Sequence, residues 1–305
     1  MSSWVNRIAV RLLAVAVVFL TTDDCFAQAA STPNPRRIIS LAPSVTETIF
    51  ALGFGSRLVG VTTYCDYPVE AQKLPKIGGF MSPSLEVIVA KQPDLVIGVN
   101  SATDPVKARE MERLGLKVTL ISLASVSDIL NSIKNIARLL GNPQTGDELV
   151  RKINRQFDAV KRRVAGAPRR ATLLAVGLRP LVAVGGKNFI DELITFAGGE
   201  NIAGNAGQPW LNLPDEYVVA KAPQVIIEAG MGSERVGSVK HWEDLKSIPA
   251  VKERRVYAYP SDKILRPGPR IGEGLEEIAR LVHPECFAEN RPGLHKGSAC
   301  EGSRP

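Results

Sequence analysis

One segment is written twice in this 305-residue chain, and the repeat constrains the fold more than any other feature. Glu86-Val-Ile-Val-Ala-Lys91-Gln-Pro93-Asp-Leu-Val-Ile97 is echoed 130 residues later by Glu216-Tyr-Val-Val-Ala-Lys221-Ala-Pro223-Gln-Val-Ile-Ile227, with Glu, Ala-Lys, Pro and an apolar triplet in register. In each copy a short helix ends at the proline, whose ring disfavours the helical conformation of the residue before it. The apolar triplet that follows reads as a strand buried on both faces. A weaker echo lies upstream, where Thr48-Ile-Phe-Ala-Leu-Gly53 and Leu193-Ile-Thr-Phe-Ala-Gly198 are apolar helix ends closed by glycine, the residue that most easily takes the left-handed cap conformation. Two similar α/β lobes are expected. With them comes a cleft, the preferred location of small-ligand sites.

The first residues give an address. Arg7 is a positive start, Ile8 to Leu20 is apolar apart from Arg11, and Ala27-Gln28-Ala29 offers an A-x-A site. Residues 1–29 therefore read as a secretory signal peptide cleaved near Ala29. The apolar run is too short for a spanning helix, and no second run reaches that length. Thr22-Asp23-Asp24 before Cys25 lacks the small apolar residues of a lipoprotein signal, so Cys25 is expected to leave with the leader.

Arg7 and Arg11 balance Asp23 and Asp24, so the exported chain keeps the net charge of +7. Its basic residues are scattered. The densest cluster, Lys161-Arg162-Arg163 with Arg169 and Arg170 around Gly166-Ala-Pro168, reads as a solvated helix end and linker, and no nucleic-acid partner is expected. Of the remaining cysteines, Cys65, Cys286 and Cys300, the last two would close a short carboxyl-terminal loop if paired in an oxidising compartment. Such a loop is worth ~3 kcal/mol in the chain-entropy model. There is no C-x-x-C, and His241, His283 and His295 form no H-x-x-x-H pair, so no metal site is expected.

Strands and helices alternate along the exported chain. Ile38 to Leu41, Arg57 to Val61, Leu95 to Val99 and Val118 to Ile121 read as strands of an amino-terminal lobe (30–122), with helices at Ser44 to Leu52 and Pro105 to Leu114. A helical segment (123–168) follows, with Val126 to Leu140 and Thr145 to Val164. The second helix carries Leu149, Ile153, Phe157, Val160 and Val164 on one stripe. At 1.5 Å per residue it spans roughly 30 Å, enough to form a rigid backbone between lobes that limits hinge motion. The α/β rhythm resumes in a carboxyl-terminal lobe (169–284) with Thr172 to Val176, Leu181 to Val184, Phe189 to Phe196, Val225 to Glu228, Val256 to Tyr259 and Ile271 to Val282; residues 285–305 read as a mobile tail.

Several of these motifs carry a family resemblance. Arg37-Ile-Ile-Ser-Leu-Ala-Pro-Ser-Val-Thr-Glu47, Gly60-Val-Thr-Thr-Tyr64-Cys-Asp66-Tyr67-Pro68, Gly198-Gly199-Glu200-Asn201-Ile202 and Pro209-Trp210 resemble the helical-backbone substrate-binding proteins of bacterial ABC importers, in particular their periplasmic cobalamin-binding branch. The resemblance spans about residues 36 to 284. It implies two Rossmann-like lobes, each a mainly parallel sheet flanked by helices, joined by a long rigid α-helix. It also implies a periplasmic receptor that hands its ligand to a permease dimer with ATPase subunits. Glu86 and Glu216 match the acidic residues that dock onto permease arginines, which suits a two-lobed receptor meeting two equivalent subunits. A glutamate in a first helical turn is otherwise explained by the helix dipole. The receptor itself is expected to be a monomer.

For the ligand, Tyr64 matches a contacting tyrosine of the cobalamin binders, Phe80 falls where they often carry tryptophan, and Trp210 matches a tryptophan at their cleft. Asp262 and Arg266 align with polar residues lining it. A corrinoid presents a broad apolar face with amide arms, which calls for such flat side chains and a few polar groups. Trp210, flanked by Gly207-Gln-Pro209 and Asn212, suits a loop, and Trp242, patterned with Leu245, reads as packing. Two positions depart from the pattern: Val99-Asn100 replaces a frequent tryptophan, and Ala197 replaces a disulfide-forming cysteine. Arg179, Lys187, Arg266 and Arg270 offer an alternative cradle for an anionic ligand, a ferric siderophore or haem, with Tyr64 as an axial ligand. An exported α/β enzyme is the reading from another class. Gly53-x-Gly55-x-x-Leu58 fails the dinucleotide fingerprint, no G-x-S-x-G or P-loop occurs, and Asp66 with Asp262 is too common a pairing to mark an acid/base dyad. A non-enzymatic receptor with no cofactor of its own is expected.

Overall fold

A computed structural model describes residues 34–230 and 240–288. The leader with its cleavage near Ala29, the proposed Cys300 partner of Cys286, and the tail beyond 288 lie outside the described residues.

The first lobe runs β1 (Ile38–Ser40), α1 (Pro43–Ala51), a 3-10 turn (Gly55–Arg57), β2 (Leu58–Val61), α2 (Val69–Gln72), α3 (Leu85–Ala90), β3 (Leu95–Val99), α4 (Pro105–Arg113) and β4 (Val118–Ile121). The strands lie in the order β2-β1-β3-β4, all parallel. All five residues of β3 are buried, as expected of a strand covered on both faces.

Two helices follow, α5 (Val126–Leu139) and α6 (Pro143–Val164). Ser125 and Asp128 close a capping box at the start of α5, and the Asn142 side chain caps α6. The 22 residues of α6 bury Val150, Ile153, Phe157, Val160 and Val164. Leu149, read as part of the stripe, is only half-buried; Val150 takes the inward position instead.

The second lobe comprises β5 (Arg170–Leu178), β6 (Leu181–Val184), α7 (Phe189–Phe196), β7 (Gly199–Asn201), β8 (Trp210–Asn212), α8 (Asp215–Lys221), β9 (Val225–Glu228), α9 (Lys240–Glu243), α10 (Pro249–Lys252), β10 (Val256–Ala258), α11 (Asp262–Leu265) and α12 (Ile271–Val282). Its sheet runs β10-β9-β5-β6-β8, with β7 also on β5. The β10, β9, β5 and β7 ladders are parallel, whereas β6 and β8 pair antiparallel. The sheet is therefore mixed, because a short turn at Arg179-Pro180 folds β6 straight back on β5 and leaves no room for a crossover helix.

The repeat is visible in the backbone. Gln92 and Ala222, each just before the proline of its copy, both sit at φ +46°, a left-handed conformation adopted here without glycine. Gly53 and Gly198 close α1 and α7 at φ +84° and +82°. One apolar cluster is continuous from Ile38 and Ile97 of the first sheet, through Ile129 and Ile133 of α5 and Ile153 and Phe157 of α6, to Leu193 and Leu275 of the second lobe. Alternate strand residues feed separate clusters on the outer faces, Ile39 and Val96 in one lobe and Leu173 and Ile226 in the other. Among the described residues no helix is long and apolar enough to cross a membrane.

Candidate functional site

The loop that leaves β2 at the carboxyl end of the first sheet is pinned from below by Cys65. Its buried sulfur accepts from the Thr46 hydroxyl at 3.1 Å and lies 3.2 Å from the Thr62 hydroxyl. With Cys65 turned inward, the flanking Tyr64 is 62% exposed and Tyr67 is exposed as well. A second loop is tied beside it. Thr63 N–H donates to the Gly78 carbonyl at 3.0 Å, and a bridge between Gly78 and Pro83 closes the turn that displays Phe80 and Met81. Phe80 is half-buried against the main core, while Met81 is exposed.

In the second lobe, Trp210 lies on the edge strand β8, paired with Val184, rather than in a loop. Only three residues of strand separate Pro209 from Leu213-Pro214, too short an element for the sequence pattern to reveal. Trp210 is 40% exposed. It lines an open pocket of about 390 Å³ with Val182, Gln208, Leu211 and Asn212.

Asp262 and Arg266 come together in a larger charge cluster. Arg266 pairs with Asp262 at 3.0 Å, forks the Asp66 carboxylate at 2.6 and 3.1 Å, and donates to Glu47 at 3.1 Å. Arg270 donates to both oxygens of Glu47 at 2.8 and 2.7 Å, and its guanidinium lies 3.9 Å from the centre of the Tyr67 ring. The hydrogen bond from Arg266 holds Asp66 below its ordinary value despite partial burial. Burial opposes the charge of Arg266, but Asp66, Asp262 and Glu47 outweigh it and raise its pKa.

Glu86 and Glu216 stand apart from these groups, exposed on the first turns of α3 and α8. The Ser84 hydroxyl caps α3 at Val87 N–H and contacts the Glu86 carboxylate at 2.9 Å. The neighbour of Glu216, Asp215, contacts His241 at 3.2 Å. The two glutamates thus occupy equivalent places on the repeat with different surroundings.

Residues 38–263 match the periplasmic binding protein family. The chain belongs to that family. It is 32% identical to the vitamin B12-binding protein of Salmonella paratyphi A over 246 residues, 81% of this chain and 90% of the relative. The periplasmic vitamin B12 binding protein BtuF of Vibrio cholerae superposes with a TM-score of 0.74 at 24% identity, covering 84% of this chain and 99% of that one, a likeness of fold. The periplasmic heme-binding protein RhuT from Roseiflexus sp. RS-1 superposes with a TM-score of 0.74 at 30% identity, covering 82% and 99%.

In this periplasmic binding protein the reading from sequence missed Glu47 and the pairing of Arg270. Glu47 sits 219 and 223 residues from its partners, and no local pattern announces such a contact. Arg266 and Arg270, considered as a cradle for an anion, are engaged with protein carboxylates instead. Also unread was Glu228, fully buried at the end of β9. One of its oxygens accepts from the Trp242 indole and the other has no partner among the described residues. Burial raises its pKa against the lowering effect of that hydrogen bond. Trp242 itself is fully buried, as its pattern indicated.

Proposed function

We propose that the chain is exported to the periplasm with loss of residues 1–29, captures a corrinoid in the cleft between its lobes (30–122 and 169–284, joined by 123–168), and delivers it to an ABC importer permease as a monomeric receptor. The observation that carries the choice of ligand is the charge balance of the polar groups. Arg266 and Arg270 are matched by Glu47, Asp66 and Asp262, so this cluster offers no cationic surplus to a dianionic ligand. The exposed rings of Tyr64, Tyr67 and Trp210 and the amides of Gln208 and Asn212 beside Trp210 suit an apolar macrocycle with neutral amide arms. The vitamin B12-binding relatives support the same choice. Tyr64, Phe80, Trp210, Asp262 and Arg266 are assigned to ligand contact, and Glu86 and Glu216 to the permease.

A second reading has its own support: the phenol of Tyr64 is available to an iron, and the heme-binding relative is 30% identical. Calorimetric titration of residues 30–305 with cyanocobalamin, haemin and a ferric siderophore separates the readings. Saturable one-to-one binding of cyanocobalamin without turnover supports a corrinoid receptor. Binding of haemin or the siderophore alone keeps the family and replaces the ligand, and release of a chemically altered product supports an enzyme.

A further inference from the structure

Arg266 and Arg270 flank Pro267-Gly268-Pro269, a strap whose prolines fix two φ angles. The strap leaves α11 of the second lobe and passes over the start of α1 in the first. A Cβ on Gly268 would stand 3.6 Å from the Ser44 Cα and carbonyl oxygen, ordinary van der Waals contact, so the strap lies directly against the backbone of α1 there. One turn along α1, Glu47 is 2% exposed. Both its oxygens are taken by the second lobe, Oε1 by Arg266 and Arg270 and Oε2 by Arg270.

A carboxylate this deep has lost its hydration, and three charge-assisted hydrogen bonds replace it. The partners depend on it equally. Without Glu47, two half-buried guanidinium groups would face each other with only the more exposed Asp66 and Asp262 to separate them.

From this geometry, and with the corrinoid cleft as premise, we infer that Glu47 is a positioning residue of the site: it fixes the angle between the lobes and the orientation of the guanidinium groups of Arg266 and Arg270. The strap ties the two lobes directly, in addition to the continuous packing through α5 and α6. Buried ion pairs of this kind serve specificity of arrangement more than net stability. The cleft is therefore held near its binding geometry before ligand arrives, which lowers the ordering cost of association.

The test uses ligand-free protein carrying spin labels on azido side chains at Glu112 of α4 and Lys252 of α10, one on each lobe, with the native cysteines untouched. Pulsed dipolar spectroscopy should give one narrow distance distribution for the otherwise unaltered protein. Glu47→Gln should broaden it or add a second distance, and Glu47→Asp should recover part of the narrow peak. Cyanocobalamin affinity should fall about tenfold in Glu47→Gln, chiefly through faster dissociation. A folded Glu47→Gln protein with an unchanged narrow distribution would overturn the inference, whatever its melting temperature. Should that variant fail to fold, Arg270→Lys decides, because loss of the fork to Glu47 should still broaden the distribution and an unchanged one is again fatal. The distances are read without ligand, so failure of the unaltered protein to bind cyanocobalamin would remove the corrinoid reading and leave this arm standing.

Discussion

Replacing Trp210 by alanine tests the ligand site where its geometry is best defined. The indole is 40% exposed, so of the ~250 Å² a tryptophan can bury, ~100 Å² remains for a ligand to cover. At ~25 cal/mol per Å² that area is worth about 2.5 kcal/mol, or roughly 60-fold in Kd; if the ligand covers half of it, roughly 8-fold. The fold should persist, because β8 pairs with β6 through main-chain hydrogen bonds that the substitution keeps, although loss of the buried part of the indole should lower stability. Calorimetric titration of Trp210→Ala with cyanocobalamin, beside its thermal melt, reads both quantities. A loss between about 8- and 60-fold in a protein that still folds, with a lowered melting temperature because the buried part of the indole is removed, is expected. If the unaltered protein binds saturably and Trp210→Ala binds within about threefold of it, less than ~0.7 kcal/mol, then Trp210 does not stack on the ligand and the pocket around it is not the corrinoid site.

Three further outcomes are expected. Reversing both docking charges, Glu86→Arg with Glu216→Arg, should leave cyanocobalamin binding intact, since both are exposed and outside the pocket, and should abolish uptake in cells lacking the native receptor; normal uptake would remove the docking role. Glu228 is raised above its ordinary 4.5 by burial, so its contribution to stability is full below that value and is lost as pH rises through the higher native one. Glu228→Gln should therefore be more stable than the unaltered protein at about pH 8, with the difference closing near pH 4 in thermal melts; parallel pH profiles would contradict this. Ile153→Ala, at a fully buried position of α6, should cost ~2–5 kcal/mol in urea unfolding without shifting the secondary structure; a loss under about 1 kcal/mol would mean that the α6 seam collapses around the cavity.

What could be read from the chain was local or periodic. The helix, proline and strand of each repeat were legible because proline and branched side chains impose their preferences within a few residues, and α3 to β3 and α8 to β9 follow that order. The glycine ends of α1 and α7 and the stripe of α6 were legible for the same reason. The left-handed Gln92 and Ala222 were not, since tertiary packing holds an ordinary side chain where propensity would place glycine. The reversal of β6 and β8 escaped notice because strands of three or four residues carry too few side chains to show a period.

The sequence by itself therefore determined the two-lobed α/β plan, the long helix between the lobes, and the places of Glu86 and Glu216 on the repeat. Only the tertiary structure decided what Arg266 and Arg270 do. A guanidinium reads the same in a chain whether it will meet a ligand or a buried glutamate, and the partner here, Glu47, lies 219 residues from Arg266. Charge attraction is set by distance and desolvation in space, and both exist only once the strap has been laid across α1.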